Sequence, residues 1–338
     1  MIEECPTVSI CIPTFNRAAM VGRAIESALG QTYRNIEVLV VDNASDDNIE
    51  DVVASYTDPR LKFIKNPVNL GLFGNFNRCV ELSRGEFVHI LHSDDYIDPE
   101  FTEACVRFFE EHPSVSLTFT SAEMHTPSRT HTVRYAETDV IMPAPEGFRR
   151  ILSERCFITC PSVMIRRSVY DAIGKYSLEY PYSSDYYQWL KVSRQYDIAY
   201  VHDATVHYRQ GEHSESYRLL FASPLGYLDT LKIYVQLARD LSGELSDYTD
   251  GYNAAVTRFA RDCLFAGATR TESMEGFSPS VLLGVALSSW GLAVPKSFGS
   301  SLKKAGGFLG ILGAGVVIHL PFLRRMAARA LASRTEMY

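Results

Sequence analysis

Val8-Ser9-Ile10-Cys11-Ile12, then Ala18-Ala19-Met20-Val21-Gly22-Arg23-Ala24-Ile25-Glu26-Ser27-Ala28-Leu29, then Ile36-Glu37-Val38-Leu39-Val40-Val41-Asp42 is the stretch that decides the fold. The two outer segments are runs of aliphatic and β-branched residues of strand length. The middle segment has apolar groups at 20, 21, 24, 25, 28 and 29, the spacing of one helix face. A strand, a helix and a second strand on short connections form a crossover unit, which predicts parallel pairing. The alternation continues outward, with strands at Leu61–Lys65 and Glu86–Leu91 and helices at Asn48–Tyr56 and Leu72–Ser83. The expected class is α/β: a doubly wound, mostly parallel sheet flanked by helices on both faces.

Further along, Asp98 is placed to cap a helix running from Pro99 to His112, with Pro113 beyond its end. Val115–Thr120, Ser162–Ile165 and Ile198–Val206 read as strands, and Asp185–Gln195 as a helix. Residues 121–145 are polar and contain proline, so a loop with one short strand is expected there. After about residue 217 the strand signals stop. Tyr217–Ala268 reads as helices, followed by two apolar stretches, Val281–Pro295 and Ala305–Leu323. Two domains are expected, 1–216 and a helical 217–338.

Composition narrows the function classes. The 338 residues contain 33 Lys+Arg and 40 Asp+Glu, a net charge of −7, which argues against broad nucleic-acid binding. Seven cysteines with no CxxC pair read as reduced thiols, the pattern of a cytoplasmic protein. Met1–Thr7 has two Glu and a Pro and no basic start, so no secretion signal is expected.

Ligands of an open parallel sheet bind beyond the carboxyl ends of its strands, so the residues after each strand carry the chemistry. No GxGxxG or GxxxxGK[ST] occurs, which excludes the usual dinucleotide and P-loop sites. Instead the first strand leads to Pro13-Thr14-Phe15-Asn16-Arg17 and the second ends on Asp42. The third leads to Asn66 and then Asn69-Leu70-Gly71, and the fourth to His92-Ser93-Asp94-Asp95. Adjacent carboxylates at a strand end suit a divalent cation that also contacts phosphate oxygens, or else a solvated turn. Asp42 suits either a contact to a base or ribose, or an Asx turn. Asp185 is either a first-turn helix acid or a base, and His213 stands alone near a loop.

Taken in order, these segments resemble family 2 glycosyltransferases of the GT-A fold. The resemblance rests on Val8–Arg17, Ser27 with Gln31-Thr32-Tyr33, Val40–Asp47, Asn69-Leu70-Gly71, Gly85-Glu86-Phe87 and Ser93-Asp94-Asp95. Gly174, Ser184-Asp185-Tyr186, Trp189 and Tyr208-Arg209 with His213 and Ser216 complete it, so it covers about residues 7–216. The resemblance implies a GT-A catalytic domain, its nucleotide half about 1–120 and its acceptor half about 121–216. Pro13, Thr14, Arg17, Asp42, Asn69, Gly71, His92 and Ser93 would face the nucleotide. Asp94, with His213, would hold Mg²⁺ or Mn²⁺, and Asp185 would be the general base of an inverting transfer. The sequence departs from the pattern at His92, where an acid usually stands, and at Asn43, where a second Asp is common.

The implied partners are a nucleotide-sugar donor, UDP- or dTDP-linked, and a glycan or polyprenyl-lipid-linked acceptor. Two rival readings share the fold. A sugar nucleotidyltransferase usually has a glycine-rich phosphate loop, and Pro13–Arg17 has no glycine. A catalytically impaired scaffold has no need of Asp42, Asp94 and Asp185 together. In the C-terminal region, single spans or a hairpin would leave Lys and Arg on the outer side, against the positive-inside rule. Helices lying on the inner face of the cell membrane fit the charges better, the alternative being a buried helix packed on the catalytic domain, and the first reading makes the expected protein cytoplasmic and peripheral.

Overall fold

The computed structural model describes residues 7–211, 214, 225–269 and 279–293. His213 and the apolar stretch Ala305–Leu323 lie outside these residues. Two compact units divide the chain: Met1–Ile151 with Cys156–Ser214, and Leu152–Arg155 with Glu215–Tyr338.

The first unit begins with β1 (Val8–Thr14), α1 (Ala18–Leu29), β2 (Ile36–Asp42), α2 (Ile49–Ala54), β3 (Leu61–Lys65), α3 (Leu72–Leu82) and β4 (Phe87–Ile90). It continues with β5 (Tyr96–Ile97), α4 (Phe101–Glu111), β6 (Val115–His125), β7 (Thr130–Val133), β8 (Val140–Met142) and α5 (Glu146–Glu154), of which the residues from Leu152 on are counted with the second unit. A 3₁₀ turn (Cys160–Ser162), β9 (Met164–Arg166), α6 (Arg167–Ile173), α7 (Ser184–Gln195) and β10 (Asp197–Arg209) complete it. The sheet runs β3-β2-β1-β4-β9-β6-β10-β5, with β7 on β6 and β8 on β10. β1 to β4 pair in parallel, as do β6 and β10, while β9 is antiparallel to both β4 and β6. The class is the mixed, mostly parallel α/β sheet expected.

Every residue of β1 and β2 is buried, because the sheet is covered on both faces. Strand order reverses after β1, so right-handed crossovers send α1 and α3 to opposite sides. On the α1 side, Val21, Ala24, Ile25 and Ala28 join Ile10, Ile12, Val38 and Val40 with Phe101, Cys105 and Phe109 of α4 in one core. On the other side α3 contributes buried Phe73, Phe76, Cys79 and Val80. Gly85 lets the chain cross β1 closely, since a Cβ there would sit 2.6 Å from the Ser9 nitrogen. Glu37 is buried in this sheet. Burial pushes its pKa up, but hydrogen bonds from Ser9 Oγ (2.7 Å) and from the Arg84 backbone and side chain outweigh that and lower it.

Three expectations need correction. Asp98 does not cap α4. The cap position is Glu100, and the Asp98 carboxylate accepts a hydrogen bond from His207 Nε2 at 2.9 Å instead. Residues 121–145 are more ordered than a loop with one strand, for β6 runs on to His125 and both β7 and β8 pair with the sheet. β10 extends to Arg209, with an irregularity between Val201 and Thr205.

In the second unit the described helices are α8 (Leu225–Asp240), α9 (Leu245–Thr269) and α10 (Pro279–Leu292). α10 packs against α8 and α9 and buries Val285, Ala286 and Ser289. Among the described residues, no helix is long and apolar enough to cross a membrane.

Candidate active site

The site starts from one missing N–H. β1 pairs with β2 as far as Thr14↔Asp42, but with β4 only as far as Cys11↔Ile90, closed by Leu91 N–H to Cys11 C=O at 2.8 Å. Alternation along the strand puts residue 13, like Cys11, on the β4 side, and Pro13 has no N–H to continue the ladder. The two strands therefore part at their carboxyl ends, where strand order also reverses, and that is where open α/β sheets bind ligands.

One wall of this opening is built from the turns after β1, β2 and β3. Asn16, with φ of +52°, offers its N–H to Ser45 Oγ at 2.8 Å and accepts from the Asp46 N–H at 2.9 Å. Ala18 N–H bonds Asp47 Oδ2 at 2.8 Å, tying the start of α1 to the same turn. Asp42 is fully buried, and its carboxylate accepts from the Ser45 N–H and hydroxyl, with Lys65 Nζ 3.8 Å away. The Asp42 carboxylate thus closes this turn through a residue three positions on. Thr14 is buried, its hydroxyl without a hydrogen-bond partner, while Arg17 at the start of α1 is half-buried.

Asn43 organises the next loop. Its amide N–H₂ donates to Asn69 Oδ1 (2.8 Å) and to the Gly71 carbonyl (3.2 Å). Its oxygen accepts from Leu70 N–H (2.9 Å) and from Asn66 Nδ2 (3.2 Å). Gly71 sits at φ +76°, a left-handed conformation that disfavours any side chain. Asn69 and Gly71 are both exposed on this rim.

The opposite wall follows β4. His92, Asp94 and Asp95 offer ligand atoms that lie within 4.8 Å of one another, and Ser93 between them is buried. Asp95 is fully buried. Burial pushes its carboxyl up to about 6, against the pull of His92 Nδ1 at 3.2 Å. Burial works against a charge on His92, but Asp95, then Asp94 and Asp185, outweigh it and raise the imidazole. His92 Nε2 is buried without a hydrogen-bond partner, and Asp95 Oδ2 has His92 Nδ1 3.2 Å away. An unsatisfied imidazole nitrogen beside two carboxylates is a donor set that fits a divalent cation.

Asp185 stands at the first position after the start of α7. Burial raises its pKa, opposed by the Tyr186 N–H at 2.8 Å, by His92 and by a hydrogen bond from the Cys160 thiol. Burial also keeps the Cys160 thiol protonated, its pKa well above the usual thiol value. Under the 3₁₀ turn carrying Cys160, buried His89 of β4 bonds the Pro161 carbonyl at 2.8 Å. Carboxylates from β4 and α7 thus converge on His92.

Two contributors carried no signal of their own in the sequence. Arg209, at the end of β10, gives its N–H to Asp95 Oδ1 at 2.8 Å and its Nε to the Asp94 carbonyl, fixing the loop from outside. Cys160 is brought to Asp185 only by the fold. A conserved-looking spacing marked neither residue, although Arg209 follows Tyr208 in the stretch that carries the family resemblance.

Residues 9–174 match the model of the family described as "Glycosyl transferase family 2". An uncharacterized Mycobacterium tuberculosis protein is 35% identical over 114 residues, 34% of this chain, and the chain spans only 35% of that relative's length. An Escherichia coli relative, named UDP-Glc:alpha-D-GlcNAc-diphosphoundecaprenol beta-1,3-glucosyltransferase WfaP, is 28% identical over 187 residues, 55% of this chain and 69% of its own. Among solved structures, Staphylococcus aureus TarS 1–349 in complex with UDP-GlcNAc superposes with a TM-score of 0.68 at 19% identity, covering 90% of each chain. That likeness shows the GT-A fold. Residues 9–174 of the chain belong to glycosyl transferase family 2.

Proposed function

We propose that this glycosyltransferase moves a sugar from a UDP- or dTDP-linked donor to a hydroxyl of a glycan or lipid-linked acceptor, with inversion at the anomeric carbon. One observation carries the reading: Asp94 and Asp95 after β4 and Asp185 at the start of α7 all act on His92, so a cation site and a base share one opening. In this reading residues 1–216 are the catalytic domain. Pro13 parts the strands, Thr14 and Arg17 line the diphosphate, and Asn69 and Gly71 close over the nucleoside. Asp42 is turned toward Ser45, so its contact to a base runs through the edge of that turn.

Asp94 and Asp95, with His92 beside them, are the residues that would hold Mg²⁺ or Mn²⁺. When bound, such a cation supplies Lewis-acid stabilisation of the leaving diphosphate. Arg209 holds the backbone of that loop in place, and Arg17 offers a positive charge at the start of α1. Asp185 accepts the proton of the acceptor hydroxyl as it attacks, and its raised pKa makes it a better proton acceptor than an ordinary carboxylate. Attack from the face opposite the leaving group inverts the configuration. WfaP, whose name states a lipid-linked acceptor and a β-1,3 product, supports an acceptor of that class and a peripheral place at the inner face of the membrane.

The test is calorimetric binding of UDP, dTDP, GDP and ADP, each with Mn²⁺ and with EDTA. Metal-dependent binding of one nucleotide, lost in Asp94→Ala, is the expected result. Folded protein that binds none of the four would overturn the proposal.

A further inference from the structure

A second group of metal-ligating side chains lies away from the Asp94 loop, on β6 and β10. Register pairs Glu123 with His207, and His125 with Arg209. Side chains alternate along a strand, so Glu123, His125 and His207 emerge on one face. Their ligand atoms form a near-regular triangle. His125 Nε2 is 3.1 Å from His207 Nδ1 and 3.1 Å from Glu123 Oε1, and His207 Nδ1 is 3.4 Å from Glu123 Oε1.

Those lengths match a coordination polyhedron. Bonds of about 2.0–2.1 Å to a tetrahedral ion place neighbouring ligand atoms about 3.3 Å apart. The outer shell matches as well. Asp98 Oδ1 accepts from His207 Nε2 at 2.9 Å, which leaves the Nδ1 lone pair pointing into the triangle. This is the carboxylate–histidine–metal arrangement that fixes tautomer and ring orientation. Thr130 Oγ1 lies 3.4 Å from His125 Nδ1, where it can accept from an Nδ1–H and leave the Nε2 lone pair free. Tyr96 stacks on His207 with centroids 4.1 Å apart, and its hydroxyl lies 3.4 Å from His125 Nε2, beside the fourth vertex.

Arg23 stands over the Tyr96 ring at 3.4 Å and Arg209 is nearby, so the surroundings do not attract a cation by net charge. That disfavours Mg²⁺ or Ca²⁺ and favours an ion bound by imidazole.

We infer that Glu123, His125 and His207 form a transition-metal site of the zinc type, separate from the Asp94 site and closed on its outer side by Asp98. The site joins three strands. Tyr96 and Asp98 belong to the segment that continues the Asp94-Asp95 loop, and His207 is two residues from Arg209, which grips that loop. A bound ion therefore fixes the exit of the loop rather than acting on substrate.

The full chain, stripped with a chelator and desalted, is titrated with Co²⁺ and then Zn²⁺. Visible ligand-field absorption and elemental analysis give geometry and stoichiometry. Expected is one ion per chain in Asp94→Ala, where the other cation site is removed, Co²⁺ giving tetrahedral bands that Zn²⁺ bleaches. Binding stays in Asp94→Ala, falls roughly 100-fold or more in His125→Gln and Glu123→Gln, and falls about 10–100-fold in Asp98→Asn. Circular dichroism confirms the fold of each variant, and Glu123→Gln serves if His125→Gln does not fold. The inference is overturned if folded wild type takes up no zinc, if the ion is lost in Asp94→Ala, or if both ligand variants bind as wild type does.

Discussion

Replacing His89 by Gln should remove a large part of the acid sensitivity of the first unit. His89 is fully buried, stacked on Phe101 and bonded through Nε2 to the Pro161 carbonyl, and burial lowers its pKa from 6.5 to about 4. The folded state therefore keeps the ring neutral, while the unfolded chain protonates it below about pH 6.5. Above that pH the two states bind protons alike and the residue adds no pH dependence. Below it, stability falls until the folded ring also titrates near pH 4, a gap of about 2.5 units or about 3 kcal/mol in full. Between pH 7.5 and 4.5 the loss amounts to about 2.5 kcal/mol. Gln retains an N–H₂ donor for Pro161 and cannot titrate. Urea denaturation of both proteins at the two pH values, in a Trp290→Phe background, reads the buried Trp189 of α7. The wild type should lose about 2.5 kcal/mol more than His89→Gln over that interval. Equal losses would refute the reasoning, because other titrating groups are common to both proteins.

Two further outcomes follow from the site. Glycosyl transfer should fail below a pH that lies above the ordinary carboxylate range, because the raised pKa of Asp185 leaves the base protonated there. The Cys160 thiol lowers that pKa, so Cys160→Ala should move the acidic limb of the kcat profile to higher pH; a limb that stays put or moves down counts against the assigned bond. Gly71→Ala meets no atom within 4 Å but must hold φ at +76° with ψ at 175°, a region open essentially to glycine alone, which costs about 1–3 kcal/mol. Its melting temperature should drop by a few degrees, about 2–4 °C per kcal/mol in a unit of this size, and an unchanged value would mean the loop relaxes.

How far the sequence could be read depended on how local each signal was. β1 to β4 were legible because they are apolar runs bounded by turns, and only their ends moved: β1 goes on through Pro13 to Thr14, whose carbonyl faces β2 and accepts from the Asn43 N–H at 2.9 Å. β5, with two residues, and β7, with three of its four residues exposed, carry no core pattern, so they were missed. Asp98 read as a cap because it precedes Pro99, yet His207, distant in sequence, competes for its carboxylate and wins. Asp94 and Asp185 stood out by position, whereas Cys160 against Asp185 and Arg209 against the Asp94 loop exist only once β4, β10 and the 3₁₀ turn have come together.

Asn43 has a consequence for how this loop can change over time. Its amide donates to Asn69 Oδ1 and the Gly71 carbonyl while accepting from Asn66 and Leu70, so both halves of the group are in use. An Asp, the residue the family pattern has here, accepts but cannot donate. Reverting position 43 alone would set its carboxylate against the Asn69 oxygen and the Gly71 carbonyl. An acid at 43 is therefore accommodated only if Asn69, which the family pattern keeps, turns its N–H₂ toward it in place of its oxygen. The rim at Asn69 and Gly71 is in that sense set by which way one amide faces, and a change at 43 is felt in a loop more than twenty residues away.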